Sequence, residues 1–175
     1  MKNLLISLDS LVAKLLDLLC IGLLTGLFAL VSVAIGTRLS GFGSPAWTDE
    51  VVEFLLAWLI FLGAAGLWRS RGHFRVDLLD QLARDARTKR ILALAVESLC
   101  ILFLAVLTYY GALFAAQATD TSPTFSLSRF YWFAAMPVSS SLMLIYSLVL
   151  FWELCRGEAL PASLSASLPQ RPSSH

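Results

Sequence analysis

Four long apolar segments dominate the pattern of hydrophobic and polar positions along this chain. None of them contains Lys, Arg, Asp or Glu, and they are Leu18–Thr37, Phe54–Trp68, Ser98–Thr119 and Phe130–Trp152. Three have the length of roughly 20 residues with which an α-helix crosses a hydrocarbon core about 30 Å thick. The second becomes long enough when Val51 and Val52 are included. Because the segments lack the alternation of a membrane β-strand, the pattern predicts four transmembrane helices.

The predicted fold class is therefore an all-α membrane protein. The four helices form one transmembrane domain, residues 1–156, with spans at about 15–38, 50–68, 91–119 and 129–153. The last residues, 157–175, are rich in Ser, Pro and Ala and are too polar to be buried. We expect them to form a disordered cytoplasmic tail.

Two shorter amphipathic segments accompany the spans. Apolar residues recur at helical spacing between Leu4 and Leu15, which predicts an N-terminal amphipathic helix. This helix either lies on the inner membrane surface as an arm or continues directly into the first span. Apolar positions between Val76 and Ala86 predict a second amphipathic helix, on the cytoplasmic surface between spans 2 and 3.

The distribution of basic residues predicts the orientation in the membrane. A mean hydropathy of +0.76 and a charged fraction of only 14% are outside the range of ordinary soluble proteins. Eleven of the 13 Lys and Arg residues lie in the N-terminal segment, in the connection between spans 2 and 3, and in the tail. By the positive-inside rule, both termini and this connection are cytoplasmic. Connections 39–49 and 120–129 then face outward and are the sizeable outward surfaces of the chain.

Tryptophan positions agree with these boundaries. Four of the five tryptophans lie at predicted ends of spans, where the amphipathic indole prefers the headgroup level; they are Trp47, Trp68, Trp132 and Trp152. Trp58 lies about 15 Å deeper than Trp68 by helical rise. We expect it to face a neighbouring helix or a partner protein.

Small residues and a proline predict how the helices pack. In the first span, small residues form a stripe that lets another helix approach closely: Gly22, Gly26, Ala29, Val33 and Gly36. Pro137, inside the fourth span, cannot donate a hydrogen bond to the carbonyl of Phe133, which predicts a kink. We expect the hydroxyls of the neighbouring serines to bond freed carbonyls; these are Ser139, Ser140 and Ser141.

Residues able to perform chemistry are few. The only histidines are His73, in the basic connection, and His175, in the tail, which excludes histidine-based catalysis or metal binding within the spans. Glu97 is the one charged residue deep in a predicted span. It is interpreted as a contact with a helix or the lipid interface, or as an ion site. The sequence therefore predicts no enzyme, no bound cofactor, no metal site and no nucleic acid partner.

The most informative segment is Trp47–Asp77. An acidic pair, Asp49 and Glu50, precedes an aromatic-rich core and a basic turn that ends in H-x-x-V-D. The positions that carry the core and the turn are Trp58, Phe61, Leu62, Gly63, Arg69, His73, Val76 and Asp77. The pairs Ser122-Pro123 and Met136-Pro137 add to this pattern, which resembles the small, DctQ-type membrane subunit of the tripartite ATP-independent periplasmic (TRAP) transporters. Glu53 departs from it, since many relatives have a basic residue there.

The resemblance implies a function and a set of partners. The small subunit pairs with a large multi-span permease subunit in the bacterial inner membrane. Together they receive an organic anion from a periplasmic solute-binding protein and import it with a sodium gradient. The sodium ions are expected in the large subunit, so this chain is expected to be a scaffold without a cofactor.

Roles for individual residues follow as hypotheses. Asp49 and Glu50 cap the second helix or contact a partner, since acidic residues suit a helix N-terminus. Trp58 and Gly63 face the large subunit or pack within the chain. A further basic and acidic set ties the exit of the second span to the surface helix or anchors lipid headgroups; it comprises Arg69, Arg71, His73 and Asp77.

Two other functions remain open from the residues alone. A stand-alone small transporter is one, but it needs a deeply buried carboxylate in its first span, and Asp17 lies at the boundary. A structural or assembly membrane protein is the other, and small-residue packing fits it equally well.

Overall fold

The structure is a computed structural model, and it describes residues 2–41, 43, 45, 47–69 and 86–156. Within these ranges the chain forms five helices: α1 Lys2–Leu39, α2 Trp47–Arg69, α3 Ala86–Ala116, α4 Phe130–Phe133 and α5 Ala135–Arg156. Four segments are long and apolar enough to cross a membrane, namely Asp9–Leu39, Trp47–Arg69, Arg87–Ala116 and Phe130–Arg156. The prediction of a helical protein with four spans is confirmed. The predicted surface helix, apart from Ala86, and the tail lie outside the described residues.

The four spans pack as a row. α1 packs on α2, α2 on α5, and α5 on α3, while the short α4 contacts α2, α3 and α5. One end of the row contains the start of α1 and the end of α5, and we name it the termini end. The opposite end carries the connection between α3 and α4, residues 117–129, and we name it the hairpin end.

The row buries little of its apolar surface. In the most hydrophobic window of α1 no residue is buried, and in the corresponding window of α5, which has the most, about a quarter are (28%). The buried apolar cluster is small, with Ala65 of α2, Leu104 of α3 and Met143 of α5 at its centre. Most large apolar side chains therefore face outward, as they do when lipid or another membrane protein covers a helix.

α1 is one continuous helix from Lys2 to Leu39. At about 1.5 Å per residue it is roughly 57 Å long, almost twice the hydrocarbon thickness. Of the two alternatives for the N-terminal amphipathic segment, the structure has the one in which the helix continues directly into the first span.

The face of α1 that contacts α2 is not the predicted small-residue stripe. The partly buried positions of α1 follow a spacing of three and four residues and are Cys20, Leu23, Leu27, Leu30, Ala34 and Thr37. The stripe from Gly22 to Gly36 is exposed, and among its glycines only Gly26 touches another helix, with an added Cβ 4.0 Å from Leu55. The stripe therefore does not pack within the described part of this chain, because small residues permit close packing without requiring it.

α3 and α5 share the most extensive helix contact among the described residues. Along α3 the residues that meet α5 include Leu104, Thr108 and Gly111. A Cβ on Gly111 would lie 2.9 Å from Sδ of Met136 and 3.5 Å from Cδ of Pro137. Further along, the Thr108 hydroxyl lies 2.9 Å from Oγ of Ser140. Gly111 therefore allows α3 to approach the proline-containing turn of α5.

The fourth span is interrupted near Pro137, as a helix-breaking proline predicts. The interruption lies at Ala134, between α4 and α5, three residues before the proline. The predicted role of the serines is only partly right. Ser140 and Ser141 donate to the carbonyls of Pro137 and Val138 rather than to that of Phe133. The hydroxyl of Ser139, which is fully buried, has no hydrogen bond within the described residues.

Candidate functional site

A charged cluster at the termini end joins three helices. The guanidinium of Arg69 at the end of α2 donates from Nε to Asp9 Oδ1 at 2.9 Å and from Nη2 to Oδ2 at 2.6 Å. The hydroxyl of Tyr146 in α5 donates to the same Oδ1 at 3.0 Å. A two-bond contact between a guanidinium and a carboxylate fixes both distance and orientation. We call Asp9, Arg69 and Tyr146 the inner cluster.

The inner cluster gives Arg69 a partner that sequence reasoning did not identify. Asp9 is 60 residues earlier in the chain and lies in the segment interpreted only as amphipathic. His73 and Asp77, which were grouped with Arg69 as a tie to the surface helix, lie outside the described residues. The sequence did contain one indication of this contact. Asp9 is an acidic residue at the start of an apolar span, and an acidic side chain in that position needs a cationic partner.

Two further contacts hold the termini end together. The indole of Trp68 donates to Oγ of Ser147 at 2.9 Å, which joins α2 to α5. The guanidinium of Arg90 donates to the carbonyls of Leu154 and Cys155 at 3.0 and 2.8 Å. These carbonyls belong to the last turn of α5, which has no intrahelical donors of its own, so Arg90 caps that helix.

Glu97 faces protein in this structure. Its side chain is 1% exposed on α3, about three turns beyond Ala86 where the helix begins. This position contradicts the interpretation of Glu97 as a lipid-interface contact. Within the described residues there is no group of three or more His, Cys, Asp or Glu side chains able to hold a metal ion.

A second polar cluster lies at the hairpin end and centres on Glu50. The carboxylate of Glu50 accepts hydrogen bonds from the Ser122 hydroxyl and, at 3.1 and 3.0 Å, from the backbone N–H and hydroxyl of Thr124. The indole of Trp132 donates to the Glu50 carbonyl at 3.3 Å. Glu50 thus attaches the connection between α3 and α4 to the first turn of α2. We call Glu50, Ser122, Thr124 and Trp132 the outer cluster.

The two members of the acidic pair have different surroundings. The carboxylate of Glu50 accepts hydrogen bonds from Ser122 and Thr124. Asp49 is exposed in the first turn of α2, where its negative charge interacts favourably with the helix dipole. Glu53 lies 3.6 Å from Nη1 of Arg129, across the start of α4. The acidic side chain of Glu53 thus has its basic partner in a different element of the chain.

Trp58 and Gly63, both on α2, differ in their contacts. The indole of Trp58 donates to the carbonyl of Tyr131 at 3.1 Å and its ring lies 6.2 Å from that of Phe54. Trp58 therefore contacts a neighbouring element of its own chain. A Cβ on Gly63 would meet no atom within 4 Å, so that in the described structure the glycine faces open space.

The two polar clusters connect helices. Each joins residues that are far apart in the chain at one end of the row.

Comparison with known proteins places the chain in a family. Residues 27–157 match the model of the DctQ component of the tripartite ATP-independent periplasmic transporters. The chain belongs to this family and is a small permease subunit of a TRAP transporter. The family is one of transporter components and not an enzyme family. The resemblance drawn from Trp47–Asp77 is confirmed. A search among curated proteins finds no match.

Proposed function

We propose that this chain is a scaffold on which a large multi-span permease subunit of the same transporter is held in the bacterial inner membrane. The observation that supports this most directly is the uncovered apolar surface of the row, together with polar clusters that connect the helices at both ends. An isolated row of four helices leaves faces that lipid or a partner must cover. The family assigns the chain to an assembly that has other components.

The transported solute and the coupling ions are proposed to bind to the large subunit. The solute is an organic anion delivered by a periplasmic solute-binding protein, and the coupling ion is sodium. In support, the described part of the chain has no metal-binding group of acidic, His or Cys side chains. The charged residues of the inner cluster bind one another and connect helices.

Purification from the native membrane tests the scaffold function. We expect the tagged chain, extracted in mild detergent, to carry one equivalent of a large permease identified by mass spectrometry. Gly63→Leu is expected to reduce the amount of that subunit to less than about half, because a bulky side chain obstructs a face that is open in this chain. Gly63→Ala is the matched control, since it adds one methyl group.

The stability of the isolated chain separates the outcomes. Gly63→Leu is expected not to lower the Tm of the chain alone, since no described atom lies near its Cβ and the loss of a helical glycine favours the helix. Equal yields of the large subunit for wild type and Gly63→Leu would remove Gly63 from the interface. Recovery of the wild-type chain alone or as a homo-oligomer would instead contradict the scaffold function and favour a stand-alone transporter or structural protein.

The orientation proposed from the basic residues has both termini in the cytoplasm. Labelling with an impermeant maleimide tests it on two exposed positions, Ser126 at the hairpin end and the native Cys155 at the termini end. In intact spheroplasts we expect Ser126→Cys to react and Cys155 to react only after permeabilisation. In the protein that tests Cys155, Cys20 and Cys100 are replaced by serine. In the Ser126→Cys protein, all three native cysteines are replaced by serine. Labelling of Cys155 but not Ser126→Cys in intact spheroplasts would reverse the orientation.

A further inference from the structure

The connection between α3 and α4 is a well-defined hairpin. An antiparallel bridge joins Thr121 and Ser128, and two backbone hydrogen bonds flank it: Ser122 N–H to Leu127 O at 2.8 Å and Arg129 N–H to Asp120 O at 3.0 Å. Ser126 turns the chain with a φ of 54°, a conformation that non-glycine residues seldom adopt. Such a backbone persists only when surrounding contacts hold it.

Those surrounding contacts come from α2. The Glu50 carboxylate binds both Ser122 and Thr124, and the Ser122 hydroxyl in turn accepts the backbone N–H of Phe125 at 3.1 Å. Each of these bonds fixes the base of the turn, leaving the tip to project. The hairpin is therefore rigidly mounted on a transmembrane helix, which is how binding loops are presented on many scaffolds.

The tip of the hairpin exposes large apolar side chains. Phe125 is 44% exposed and Leu127 is 50% exposed, on either side of Ser126. Pro123 is exposed as well. Apolar groups held out in this way on an ordered loop are typical of an interaction surface. We call Pro123, Phe125 and Leu127 the hairpin tip.

The residues around the tip are predominantly acidic. Acidic residues outnumber basic ones at this end: Asp49, Glu50, Glu53 and Asp120 lie there, against Arg129, which lies beside Glu53, and the exposed Arg38 at the end of α1. An acidic border disfavours insertion among anionic lipid headgroups and favours a protein surface with basic side chains. An apolar centre with a charged border is also the usual composition of a protein–protein interface.

We propose that the hairpin tip docks the periplasmic solute-binding protein of this transporter, at an apolar depression bordered by Lys or Arg. This inference rests on the proposed function and orientation, which place the hairpin outside the membrane. Phe125 and Leu127 fill the depression, and the acidic border speeds the encounter by attracting the basic side chains. Glu50 is a positioning residue, because it acts through the hairpin backbone.

The double variant Phe125→Ser/Leu127→Ser tests the apolar part of the contact. The complex of both membrane subunits in nanodiscs is immobilised, and binding of the solute-loaded solute-binding protein is measured by biolayer interferometry. We expect Kd to rise about tenfold or more, as for the loss of central apolar contacts in an interface. Leu39→Ser is the matched control, since Leu39 is 84% exposed at the same end of the row but outside the hairpin. Its Kd is expected to stay within about twofold of wild type.

Two other variants test the border and the mounting. Asp120→Lys is expected to lower the association rate several-fold at low ionic strength and to have little effect in about 0.5 M salt.

Glu50→Gln is expected to weaken binding and to raise amide hydrogen exchange in residues 120–129, since a neutral amide holds Ser122 and Thr124 less strongly.

The outcomes separate this inference from the proposed function. If the double variant retains the large subunit and binds the solute-binding protein as wild type does, the docking role is overturned while the scaffold function stands. Loss of the large subunit from the double variant would place the tip in the subunit interface and would also overturn it. Strong quenching of a Phe125→Trp indole by brominated lipid would show insertion into the bilayer, with the same consequence.

Discussion

Gly111→Leu is expected to lower the Tm of the purified chain by about 4–10 °C, the effect of overpacking by roughly 2–3 kcal/mol in a protein of this size. Even a Cβ at this position would lie 2.9 Å from Sδ of Met136, and the rest of a leucine side chain would meet Pro137. Met136 can adjust, but the proline ring cannot. The expected result is separation of α3 from α5, which share the most extensive helix contact among the described residues.

Gly22→Leu is the matched control for this change. A Cβ on Gly22 would meet nothing within 4 Å, and the residue is exposed on α1. Both variants gain the same helix propensity by losing a glycine, about 0.8–1 kcal/mol, so the difference between them isolates packing. Thermal unfolding followed by circular dichroism in one detergent measures both. Equal Tm values would show that α3 and α5 do not approach closely at Gly111.

Reversing the charges of the inner cluster is the second change with a large expected effect. Arg69→Asp places two carboxylates beside each other and leaves the Tyr146 hydroxyl between them. We expect a loss of about 1–2 kcal/mol, or a Tm lower by about 2–8 °C. The loss is limited because both side chains keep some contact with water or headgroups, which screens the charges. Asp9→Arg alone is expected to have a similar effect, since it places two guanidinium groups together.

The double variant Asp9→Arg/Arg69→Asp decides whether the pair interacts directly. It restores opposite charges between α1 and α2, so we expect it to recover at least half of the Tm lost in the single variants. Lys14→Asp, a charge reversal at an exposed lysine of α1, controls for a change in net charge. If the two single losses simply add in the double variant, Asp9 and Arg69 do not form the pair.

The number of spans follows from composition, but their packing faces do not. Hydrocarbon accepts only long uncharged helices, so four apolar segments suffice to predict four spans. Which side of each helix meets a neighbour depends on complementary shape across two helices. Hence the sequence did not show that the stripe from Gly22 to Gly36 lies away from the other described helices of this chain, and it did not single out Gly111.

The polar clusters show the same division between local and distant information. Glu50 and Ser122-Pro123 each stood out in the sequence, but nothing connected them, because they are 72 residues apart. Asp9 and Tyr146 are separated by 137 residues and belong to segments that differ in character. Helical periodicity relates residues three and four positions apart, and it has no information on such distant partners.

By itself, the sequence determined that this is a helical membrane protein with four spans, and through Trp47–Asp77 it determined the family. These properties depend on hydrophobicity, which acts residue by residue, and on a motif that is continuous in the chain. Only the tertiary structure decided that Asp9 accepts hydrogen bonds from both Arg69 and Tyr146, and that Glu50 holds a hairpin whose apolar tip is exposed. The reason is that a hydrogen bond requires two groups within about 3 Å, and it is the packing of the helices that brings these distant groups together.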